Sequence, residues 1–585
     1  MSQFVPNNDA DKSERGIALV ALHAGYSHSS LALQSIQAFS VNEPFYADMR
    51  CFESLVNVNH QGLLESLVDF HPKVIGFSTY LWNIQASLRL AALLKELLPG
   101  CQIVLGGPEA GPRARELLEN RPAIDFVVNG EGEAAFRDLV RWVLYGAGRL
   151  DEISGLHFRR DGDCFANPIA PLAVEDIPSS ITCGLSRFDK PLVYWETSRG
   201  CPFKCTFCTS ATDRLRAFPV SRIESDLRVL EGLENKTIKL LDRSFHLGKA
   251  RTKQLLERFA QTPSGLRFHL ELNPDRISEE AMAIFRHAEP GKFQFEIGLQ
   301  TLQEPVLNAI ERQMAIPKAL DNIRQLVEMH RHPVHLDLIV GLPGEDALQC
   351  ADSLDRVFQL YPDHLQLGTL KLLPGTPLLK QANSLGYRWD REPPYEVLCH
   401  PLLSFAQMAR FKRYAELLER LWNSGYLRAT LAGLVTYCFA GRLSQCFEAL
   451  LLEVGEGLAT ENLQPDSLFS RLTDFVLRRL PQQPELGEWL LWDYCHHSLL
   501  SQKTPAWIAE TLERGERISI DGTRRRLPVV VLSETGVALI NRLTGEGRRP
   551  GRYALWPRQH KKGKPVEVYA LDEADGPAEM RGSAL

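Results

Sequence analysis

Residues 16–145 alternate short apolar runs with stretches whose apolar residues recur at helical spacing. The apolar runs are GIALVAL, KVIGFST, QIVLGG and DFVVNG, and helical patterns such as SLALQSIQAF, IQASLRLAALLKELL, PRARELLE and EAAFRDLVRWVLY follow them. Strands that alternate with helices in this way are typical of a doubly wound parallel sheet. We therefore predict an α/β domain over residues 1–148.

The pattern changes at residues 149–190 and then returns to alternation. ISGLHFRR-DGD-CFANP predicts a hairpin, and a Pro-rich linker follows it. Between residues 191 and 400, helical patterns separate six predicted strands, namely LVYWETS, TIKLLD, RFHLEL, FQFEIGL, VHLDLIVGL and HLQLGTLKLL. Six βα units in series predict a partial TIM barrel, which would carry its active site at the carboxyl ends of the strands.

Residues 401–585 predict a mainly helical C-terminal domain. Long amphipathic patterns, SFAQMARFKRYAELLERLWNSG and SRLTDFVLRRL, precede strand-like segments, RISIDG and RLPVVVLS. We find no internal repeat at a fixed solenoid period. The chain is thus expected to contain two α/β domains with a hairpin and linker between them, followed by helices.

Composition and charge exclude some classes of protein. The 66 basic and 72 acidic residues give a net charge of -6, so bulk charge does not indicate a polyanionic partner. The N-terminal residues MSQFVPNNDADKSERG lack the apolar region of a signal peptide, and no uncharged apolar stretch is long enough to span a bilayer. We expect a cytoplasmic protein with no membrane partner.

Three of the twelve cysteines form the single conspicuous cluster. Cys201, Cys205 and Cys208 have the spacing C-x3-C-x2-C, whereas the other nine are scattered without a disulfide framework. A structural zinc site would need a fourth Cys or His close by, and none lies between residues 208 and 246. Three thiolates suit a [4Fe–4S] cluster with one iron left open, although a zinc knuckle or three unrelated thiols remain the alternatives.

The cysteines follow the first predicted barrel strand, so they would lie on the first loop over the barrel mouth. With Phe207 before the last cysteine, this loop resembles the signature of the radical S-adenosylmethionine (SAM) superfamily. The resemblance implies that the open iron chelates SAM and that an electron from the cluster cleaves SAM to a 5′-deoxyadenosyl radical. It also implies an external electron donor such as flavodoxin or ferredoxin.

Polar and glycine residues at other strand ends fit the same superfamily. By resemblance, Glu271 and Gln300 would contact polar groups of SAM, and the backbone around Ile339, Gly341 and Pro343 would hold the adenine. The usual G-G-E stretch is replaced by LLDRSF, so Asp242 would serve in its place. The structural alternative is that Asp242 and Glu271 are caps or loop anchors and that GLPG is only a turn.

The first domain also has special residues at its predicted strand ends, where doubly wound sheets bind ligands. They are Ser78, Thr79, Tyr80, Gly106, Gly107 and Glu131. Together with the barrel that follows, the segments VIGFSTYLWN, IVLGGPEAG and DFVVNGEGEAAF resemble the cobalamin-binding domain of B12-dependent radical SAM proteins. The whole chain, including LHAGYSHSSLAL and LQLGTLKLLPGTPL, resembles a bacterial family of this kind with its own C-terminal domain.

One departure concerns the cobalt ligand. The D-x-H-x-x-G string that supplies a histidine to cobalt in methionine-synthase-type domains does not occur in this chain. If cobalamin binds, Tyr80, Leu81 or a water would face the lower side of cobalt, while His23 and His28 remain weaker candidates. A nucleotide site is disfavoured because HAGYSHSS is not G-x-G-x-x-G, and a sheet that only supports the barrel is the further alternative.

The C-terminal third carries no motif with a clear chemistry. Residues 547–569 mix Arg and Lys with Tyr553 and Trp556, which would suit nucleic acid, although a solvated tail is the simpler interpretation. Cys495, His496 and His497 are consecutive, and neighbours on a helix do not share a face, so they do not predict a metal site.

These observations predict a radical SAM enzyme with cobalamin as second cofactor, methylating or rearranging an unactivated carbon of its substrate. Ring formation or rearrangement without methyl transfer is the alternative within enzymes. A non-catalytic iron–sulfur module for nucleic-acid binding or redox sensing is the alternative from another class. Methylthiotransferases fit less well, because the first domain lacks the extra cysteines of their second cluster.

Overall fold

The computed structural model describes residues 16–211, 213–245, 248–496, 504, 506–511, 517–520, 523–526, 528–556 and 567–571. The chain forms two compact units. The first contains the described residues up to Glu271, together with Ile310–Arg312 and Lys371–Val397. The second contains the other described residues.

The first unit begins with the predicted doubly wound sheet. Its strands are β1 (Ile17–His23), β2 (Met49–Leu55), β3 (Val74–Ser78), β4 (Gln102–Gly106), β5 (Phe126–Val128), β6 (Leu156–Arg160) and β7 (Asp163–Ala166). The order is β2-β1-β3-β4-β5-β6-β7, in which the first five strands are parallel and the last two antiparallel. The carboxyl ends of the parallel strands therefore lie at one edge, as a ligand site requires.

Five helices accompany this sheet. They are α1 (Leu31–Phe39), α2 (Gln61–Phe70), α3 (Ile84–Leu97), α4 (Ala114–Asn120) and α5 (Gly132–Tyr145). Alternate residues of β1 enter two separate apolar cores, with Ile17, Leu19 and Ala21 in one and Ala18 and Val20 in the other. This alternation confirms a strand buried on both faces.

Two features of the sheet differ from the sequence prediction. Strand β2 and helix α2 were not anticipated, because β2 carries Arg50 and Glu53 and is only half-buried at the sheet edge. The predicted hairpin is present as β6 and β7, and it extends the first sheet through β5 instead of standing apart. The apolar pattern is weakest at sheet edges, where one side of the strand meets solvent.

The first half of the predicted barrel also belongs to the first unit. Its elements are β8 (Leu192–Trp195), β9 (Ser198–Arg199), β10 (Arg216–Ala217), α6 (Val220–Leu230), β11 (Lys236–Leu240), α7 (Lys249–Ala260) and β12 (Leu266–Leu272). Strands β8, β11 and β12 are parallel neighbours, whereas β9 and β10 form a short antiparallel pair. The helices between the parallel strands confirm the predicted βα units.

The other three predicted barrel strands belong to the second unit. Its first elements are α8 (Glu279–His287), β13 (Phe293–Gln300), α9 (Glu304–Ala309), α10 (Ile316–Glu328), β14 (Val334–Val340), α11 (Ala347–Phe358) and β15 (His364–Thr369). Strands β13, β14 and β15 are parallel neighbours. The backbone of Leu365 on β15 exchanges two hydrogen bonds, both 3.0 Å, with the Asn423 side chain. The amide thereby satisfies backbone groups that this strand would otherwise leave unpaired.

The remaining elements start with a short segment and continue into helices. In chain order they are α12 (Pro377–Gln381), β16 (Arg388–Trp389), β17 (Val397–Cys399), α13 (Phe405–Leu417), α14 (Arg428–Gly433), α15 (Leu443–Glu453), α16 (Gly457–Thr460), α17 (Pro465–Leu477), α18 (Glu485–His496) and α19 (Ala506–Thr511). Two π-helical stretches, Leu418–Asn423 and Leu434–Cys438, lie among them. The mainly helical character predicted for this region is confirmed.

A strand-rich end follows these helices. It comprises β18 (Arg517–Ile520), β19 (Thr523–Arg526), β20 (Val529–Leu532), α20 (Glu534–Thr544), β21 (Gly551–Trp556) and β22 (Glu567–Leu571). Part of the basic segment 547–569 thus belongs to an antiparallel sheet of β20, β21 and β22, while residues 557–566 and His497 lie outside the described residues. Tyr553 is buried against Trp492, so its ring is not exposed for stacking on a base. Within the described part of the chain, no helix combines the length and apolar character needed to cross a membrane.

Candidate functional site

The three clustered cysteines lie on a loop that leaves β8 and is closed by the β9–β10 pair. Gly200 adopts φ +82°, and a Cβ atom there would lie 2.2 Å from the carbonyl oxygen of Arg214. Cys201 N donates to the carbonyl oxygen of Asp213 at 3.2 Å. Only glycine accommodates both this backbone conformation and this close approach, so Gly200 fixes the start of the cysteine loop.

The cysteine side chains are partly shielded from solvent. Cys205 is buried, Cys201 and Cys208 are half-buried, and Cys208 N donates to Cys205 O at 2.9 Å. Burial raises the pKa of the Cys201 and Cys208 thiols, and charge on the neighbouring cysteines raises it further. The Arg312 guanidinium donates to Cys205 Sγ at 3.5 Å and offers a positive charge to the thiolates.

This donor set fits an iron–sulfur cluster. The loop offers three sulfur ligands, and each iron of a cubane takes its own thiolate, so the three sulfurs need not converge on one point. Among the residues that the structure describes, no group of three or more His, Cys, Asp or Glu side chains is arranged to hold a metal ion. Cys201, Cys205 and Cys208 are therefore the residues that would hold a [4Fe–4S] cluster.

Two other segments of the first unit hold the middle of this loop. Thr206 N donates to Ile310 O at 3.0 Å, and Thr206 O accepts from Leu378 N at 2.9 Å. Thr206 lies between the second and third cysteines, so these backbone hydrogen bonds hold that part of the loop in place. The segment 371–397 also reaches the first domain, where the Tyr395 hydroxyl donates to Glu109 and Arg113 Nη1 donates to the same hydroxyl at 2.7 Å.

Asp242 anchors the cysteine loop. Its carboxylate accepts from Thr197 N at 2.8 Å, from Thr197 Oγ1 at 2.6 Å and from Ser198 Oγ at 2.5 Å. The side chain is only 1% exposed, and burial raises its pKa to about 6. By resemblance Asp242 would take the place of the G-G-E stretch toward SAM, and that role stays a prediction; in the structure its oxygens accept from the residues that precede Cys201. The loop-anchor alternative describes this geometry.

Glu271 is the penultimate residue of strand β12. Phe268 stacks on Phe259 of α7 with ring centroids 4.4 Å apart, so this side of β12 faces a helix. The Glu271 carboxylate is half-buried, and its charge contributes to the raised pKa of Cys208. Glu271 thus lies within electrostatic range of the cysteine loop, and its role toward SAM stays a prediction.

The other residues predicted to contact SAM lie in the second unit. Gln300 ends β13 at φ +69°, where a bulge between Gly298 and Gln300 shifts the register with β14. Ile339 is half-buried near the end of β14. Gly341 follows it at φ +98°, and a Cβ atom there would lie 3.1 Å from Met408 Cε. Irregular backbone of this kind is common next to active sites. The contacts of Gln300, Ile339 and Gly341 with SAM also stay predictions.

The first domain contains a cavity of about 130 Å³ between its sheet and helices α1 and α5. Of the six residues predicted to contact cobalamin, Ser78, Tyr80, Gly106 and Gly107 line it. Gly107 has φ +106°, and a Cβ atom there would lie 2.4 Å from Thr79 O. A cavity of roughly 150 Å³ can hold a benzene ring, so this one fits a small ring system and only a part of cobalamin.

Thr79 and Glu131, the other two predicted cobalamin contacts, have structural partners. Thr79 Oγ1 donates to Gly106 O at 2.8 Å and accepts from Ala110 N at 3.1 Å, which ties β3 to the loop after β4. Glu131 accepts from Arg216 Nη2 at 2.7 Å, from Arg199 Nη1 at 3.0 Å and from Leu172 N at 2.7 Å. These contacts hold the pKa of Glu131 below its usual range despite burial. Both residues hold loops of the first unit, and their contact with cobalamin stays a prediction.

Sequence reasoning missed Arg199, which lies two residues before Cys201. Its guanidinium contacts Glu133 at 2.6 Å, Glu131 at 3.0 Å and Glu196 at 3.1 Å, and only 13% of its side chain is exposed. Although burial lowers it, the pKa of Arg199 is raised overall by the carboxylates of Glu196 and Glu133. Glu133 also lines the first-domain cavity. One ion pair therefore connects the cavity with the cysteine loop.

The two candidate histidines also have side-chain partners. His23 Nε2 lies 2.6 Å from Glu53 Oε2, and Arg187 approaches the same carboxylate at 3.3 Å. His28 Nδ1 is hydrogen-bonded to the Tyr194 hydroxyl of β8. That cobalt has no histidine ligand remains a prediction.

Comparison with known families gives this geometry a context. Residues 17–140 match the B12 binding domain, and residues 195–357 match the radical SAM superfamily. The chain joins a B12-binding domain to a radical SAM domain. Residues 383–527 match a family described as a protein of unknown function, DUF4080. The cofactors that these domains imply are a [4Fe–4S] cluster, SAM and cobalamin, as the sequence predicted.

Curated relatives include enzymes of two kinds. The chain is 27% identical over 344 residues to the cobalamin-dependent radical SAM methyltransferase TokK of Streptomyces tokunonensis, a match covering 54% of this chain and 49% of TokK. It is 21% identical over 365 residues to the anaerobic magnesium-protoporphyrin IX monomethyl ester cyclase of Cereibacter sphaeroides, covering 57% of each chain. The match with TokK thus spans about half of that enzyme's length.

A solved structure shares the fold. The cobalamin-dependent SAM radical enzyme OxsB, with aqua-cobalamin and SAM bound, superposes with a TM-score of 0.57 at 15% identity. The match covers 83% of this chain and 84% of OxsB. The predicted fold class is thereby confirmed.

Proposed function

We propose that this protein is a cobalamin-dependent radical SAM methyltransferase that acts on an unactivated carbon of its substrate. A flavodoxin or ferredoxin would serve as electron donor. When bound, the [4Fe–4S] cluster supplies the electron that cleaves SAM, and cobalamin supplies a carrier for the methyl group. Likeness to methyltransferases such as TokK supports methyl transfer as the reaction.

The contact between Arg199 and Glu133 carries this proposal. Arg199 belongs to the segment that leads into Cys201, and Glu133 lines the cavity of the B12-binding domain. A protein that used the cluster only as a structural element would not need to hold these two sites together. Their proximity supports a reaction that uses both cofactors on one substrate.

The surrounding residues of the chain would fix the loop during turnover. Asp242 holds Thr197 and Ser198, and Gly200 sets the turn into Cys201. The backbone N–H of Thr206 donates a hydrogen bond to Ile310, and its carbonyl oxygen accepts one from Leu378. These contacts preorganise the loop, so SAM binding need not order it.

Product analysis on anaerobically reconstituted protein tests the proposal. With methyl-labelled SAM, reductant and candidate substrates, we expect 5′-deoxyadenosine and S-adenosylhomocysteine in equal amounts, with labelled product detected by mass spectrometry. Cys205→Ala should abolish all three products. Cys183→Ala, which removes an exposed cysteine outside the motif, should leave them unchanged. Absence of SAM cleavage in the wild type would instead favour the non-catalytic iron–sulfur module.

A second candidate reaction is ring formation or rearrangement without methyl transfer. The similarity to the magnesium-protoporphyrin IX monomethyl ester cyclase favours it. The same experiment distinguishes the two reactions. A cyclase would form 5′-deoxyadenosine with no S-adenosylhomocysteine and no label in the product. A methyltransferase would form 5′-deoxyadenosine together with S-adenosylhomocysteine and a labelled product.

A further inference from the structure

A group of hydrogen-bond donors lies where loops of the first domain meet the first barrel strands. The His28 imidazole is bonded to the Tyr194 hydroxyl, and the two rings stack with centroids 5.9 Å apart at 11°. Lys239 on β11 is the register partner of Tyr194 on β8. Register partners on neighbouring parallel strands point to the same face, so the Lys239 and Tyr194 side chains leave the same face of the sheet.

Tyr80 connects these residues to the first-domain cavity. It lines the cavity, stacks on Trp82 with centroids 4.5 Å apart, and lies close enough to Tyr194 to contribute to the raised pKa of that phenol. We use the term donor cluster for His28, Tyr80, Tyr194 and Lys239. All four belong to the first unit, and each side chain is half-buried.

The donor cluster is protonated in a defined way at neutral pH. Burial raises the pKa of Tyr194 to about 12, so the phenol keeps its proton. In the hydrogen bond between this phenol and His28 Nδ1 either group can be the donor, and in both arrangements the pair keeps one N–H or O–H donor for a ligand. Burial, with His23 and Lys239 nearby, lowers the pKa of His28, so its imidazole is neutral. Lys239 is then the single fixed charge in the cluster.

Two carboxylates near the cluster, Glu196 and Glu53, have cationic partners. Glu196, which lies close to Tyr80, is ion-paired with Arg199 at 3.1 Å. Glu53 is shared by His23 and Arg187. Arg243, whose charge also acts on Tyr80 and Cys208, adds a second cation on the side of the cysteine loop. Lys239 and Arg243 thus place two positive charges close to the hydrogen-bonding groups of the donor cluster.

We propose that the donor cluster binds a carboxylate group carried by the substrate, with Lys239 supplying the charge and Tyr80, Tyr194 and His28 the surrounding hydrogen-bonding groups. Charge-assisted hydrogen bonds to a carboxylate suit an ammonium flanked by neutral donors. This inference rests on the proposed function, because it places the substrate between the cavity and the cysteine loop. The proposed enzyme thus acts on acidic substrates.

Binding of small carboxylates to the reconstituted holoenzyme tests this site. The cluster is kept oxidised so that SAM stays intact, and benzoate is compared with benzamide, its neutral counterpart, by calorimetry and ligand-observed NMR. We expect benzoate to bind at least tenfold more tightly than benzamide. Lys239→Gln should remove most of this preference, and Tyr194→Phe should reduce it severalfold. Lys253→Gln, which removes an exposed lysine of α7, should leave it unchanged.

Four outcomes would overturn the proposal. The first is equal binding of benzoate and benzamide by the wild type, and the second is a preference that survives Lys239→Gln. The third is competition of benzoate with SAM together with weaker SAM binding by Lys239→Gln, because the cluster would then serve the carboxylate of SAM. The fourth is loss of cobalamin from Lys239→Gln at unchanged benzoate affinity, because the cluster would then serve the cofactor.

A separate measurement distinguishes failure of the proposed methyltransferase function from failure of the donor-cluster proposal. After reduction, the same preparation is assayed for 5′-deoxyadenosine and S-adenosylhomocysteine. If the wild type forms neither, the proposed function fails whatever its affinity for benzoate. If it forms both and shows no preference for the carboxylate, only the donor-cluster proposal fails.

Discussion

Single side chains decide whether the cysteine loop can hold a cluster. We predict that replacing Cys201, Cys205 or Cys208 with Ala abolishes the cluster, since two thiolates cannot retain a cubane that this loop holds with three. Iron and sulfide analysis should fall from about four irons per chain to near zero. Cys183→Ala is the matched control. Retention of about four irons per chain in any motif variant would contradict the assignment.

Glu271 is the residue whose charge we expect to serve SAM. Glu271→Gln keeps the size of the side chain and removes its charge, so it should weaken SAM binding by roughly 1–3 kcal/mol, the cost of a charge-assisted hydrogen bond. Titration of SAM, followed by the EPR spectrum of the reduced cluster, measures this. Glu257→Gln on the outside of α7 should have no effect. Unchanged SAM affinity with a lowered melting temperature would identify Glu271 as a structural anchor.

At the scale of elements, helix α14 depends on a carboxylate from α18. Asp493 accepts from Ala429 N at 3.2 Å, Thr430 N at 2.8 Å and Thr430 Oγ1 at 2.7 Å, at the N-terminus of α14. Burial raises its pKa to about 7, despite these hydrogen bonds. The folded protein therefore holds a proton that the unfolded chain releases at lower pH.

Because the folded protein binds this proton more tightly than the unfolded chain does, the stability that Asp493 contributes should decrease as the pH rises. The contribution of Asp493 to stability is fully present below the unfolded pKa, falls as pH rises towards 7, and is then lost. Between pH 5 and pH 8, the wild type should lose about 3 kcal/mol relative to Asp493→Asn. Melting temperatures of both proteins at the two pH values measure it, with Asp474→Asn on an exposed site of α17 as control. Parallel pH profiles for wild type and Asp493→Asn would refute it.

At the scale of the molecule, the two cofactor regions of the first unit are joined by a largely buried cation. Arg199→Gln would leave Glu131, Glu133 and Glu196 without this partner. We expect a loss of about 3–5 kcal/mol, as when one member of a buried ion pair is removed. Thermal unfolding and cobalamin absorbance report the effect.

A double variant gives the matched test of this contact. Adding Glu133→Gln to Arg199→Gln should restore part of the stability, because it removes one of the uncompensated charges. Arg115→Gln, in an exposed ion pair with Glu119, should change neither readout. If the two substitutions were additive, Arg199 and Glu133 would not be coupled.

The element order followed from the sequence because apolar periodicity is a local signal. The runs that predicted the parallel strands are buried on alternate or both faces, as in β1 and β14. Strand β2 escaped prediction because an edge strand is half-exposed and carries charges. The domain boundaries near residues 148, 190 and 400 stay predictions. The match of residues 383–527 to DUF4080 assigns this C-terminal segment to a family, but the description of that family indicates no reaction or ligand.

The sequence by itself determined that the chain has two cofactor domains and predicted the three cluster ligands, because each signal lies within short stretches of consecutive residues. Only the tertiary structure decided which polar residues are anchors. Asp242 and Ser198 are 44 residues apart, and Arg199 and Glu133 are 66 residues apart. A carboxylate at a strand end has the same local pattern whether it holds a loop or meets a ligand. What distinguishes the two is the partner that folding brings to it, and spacing along the chain does not encode that partner.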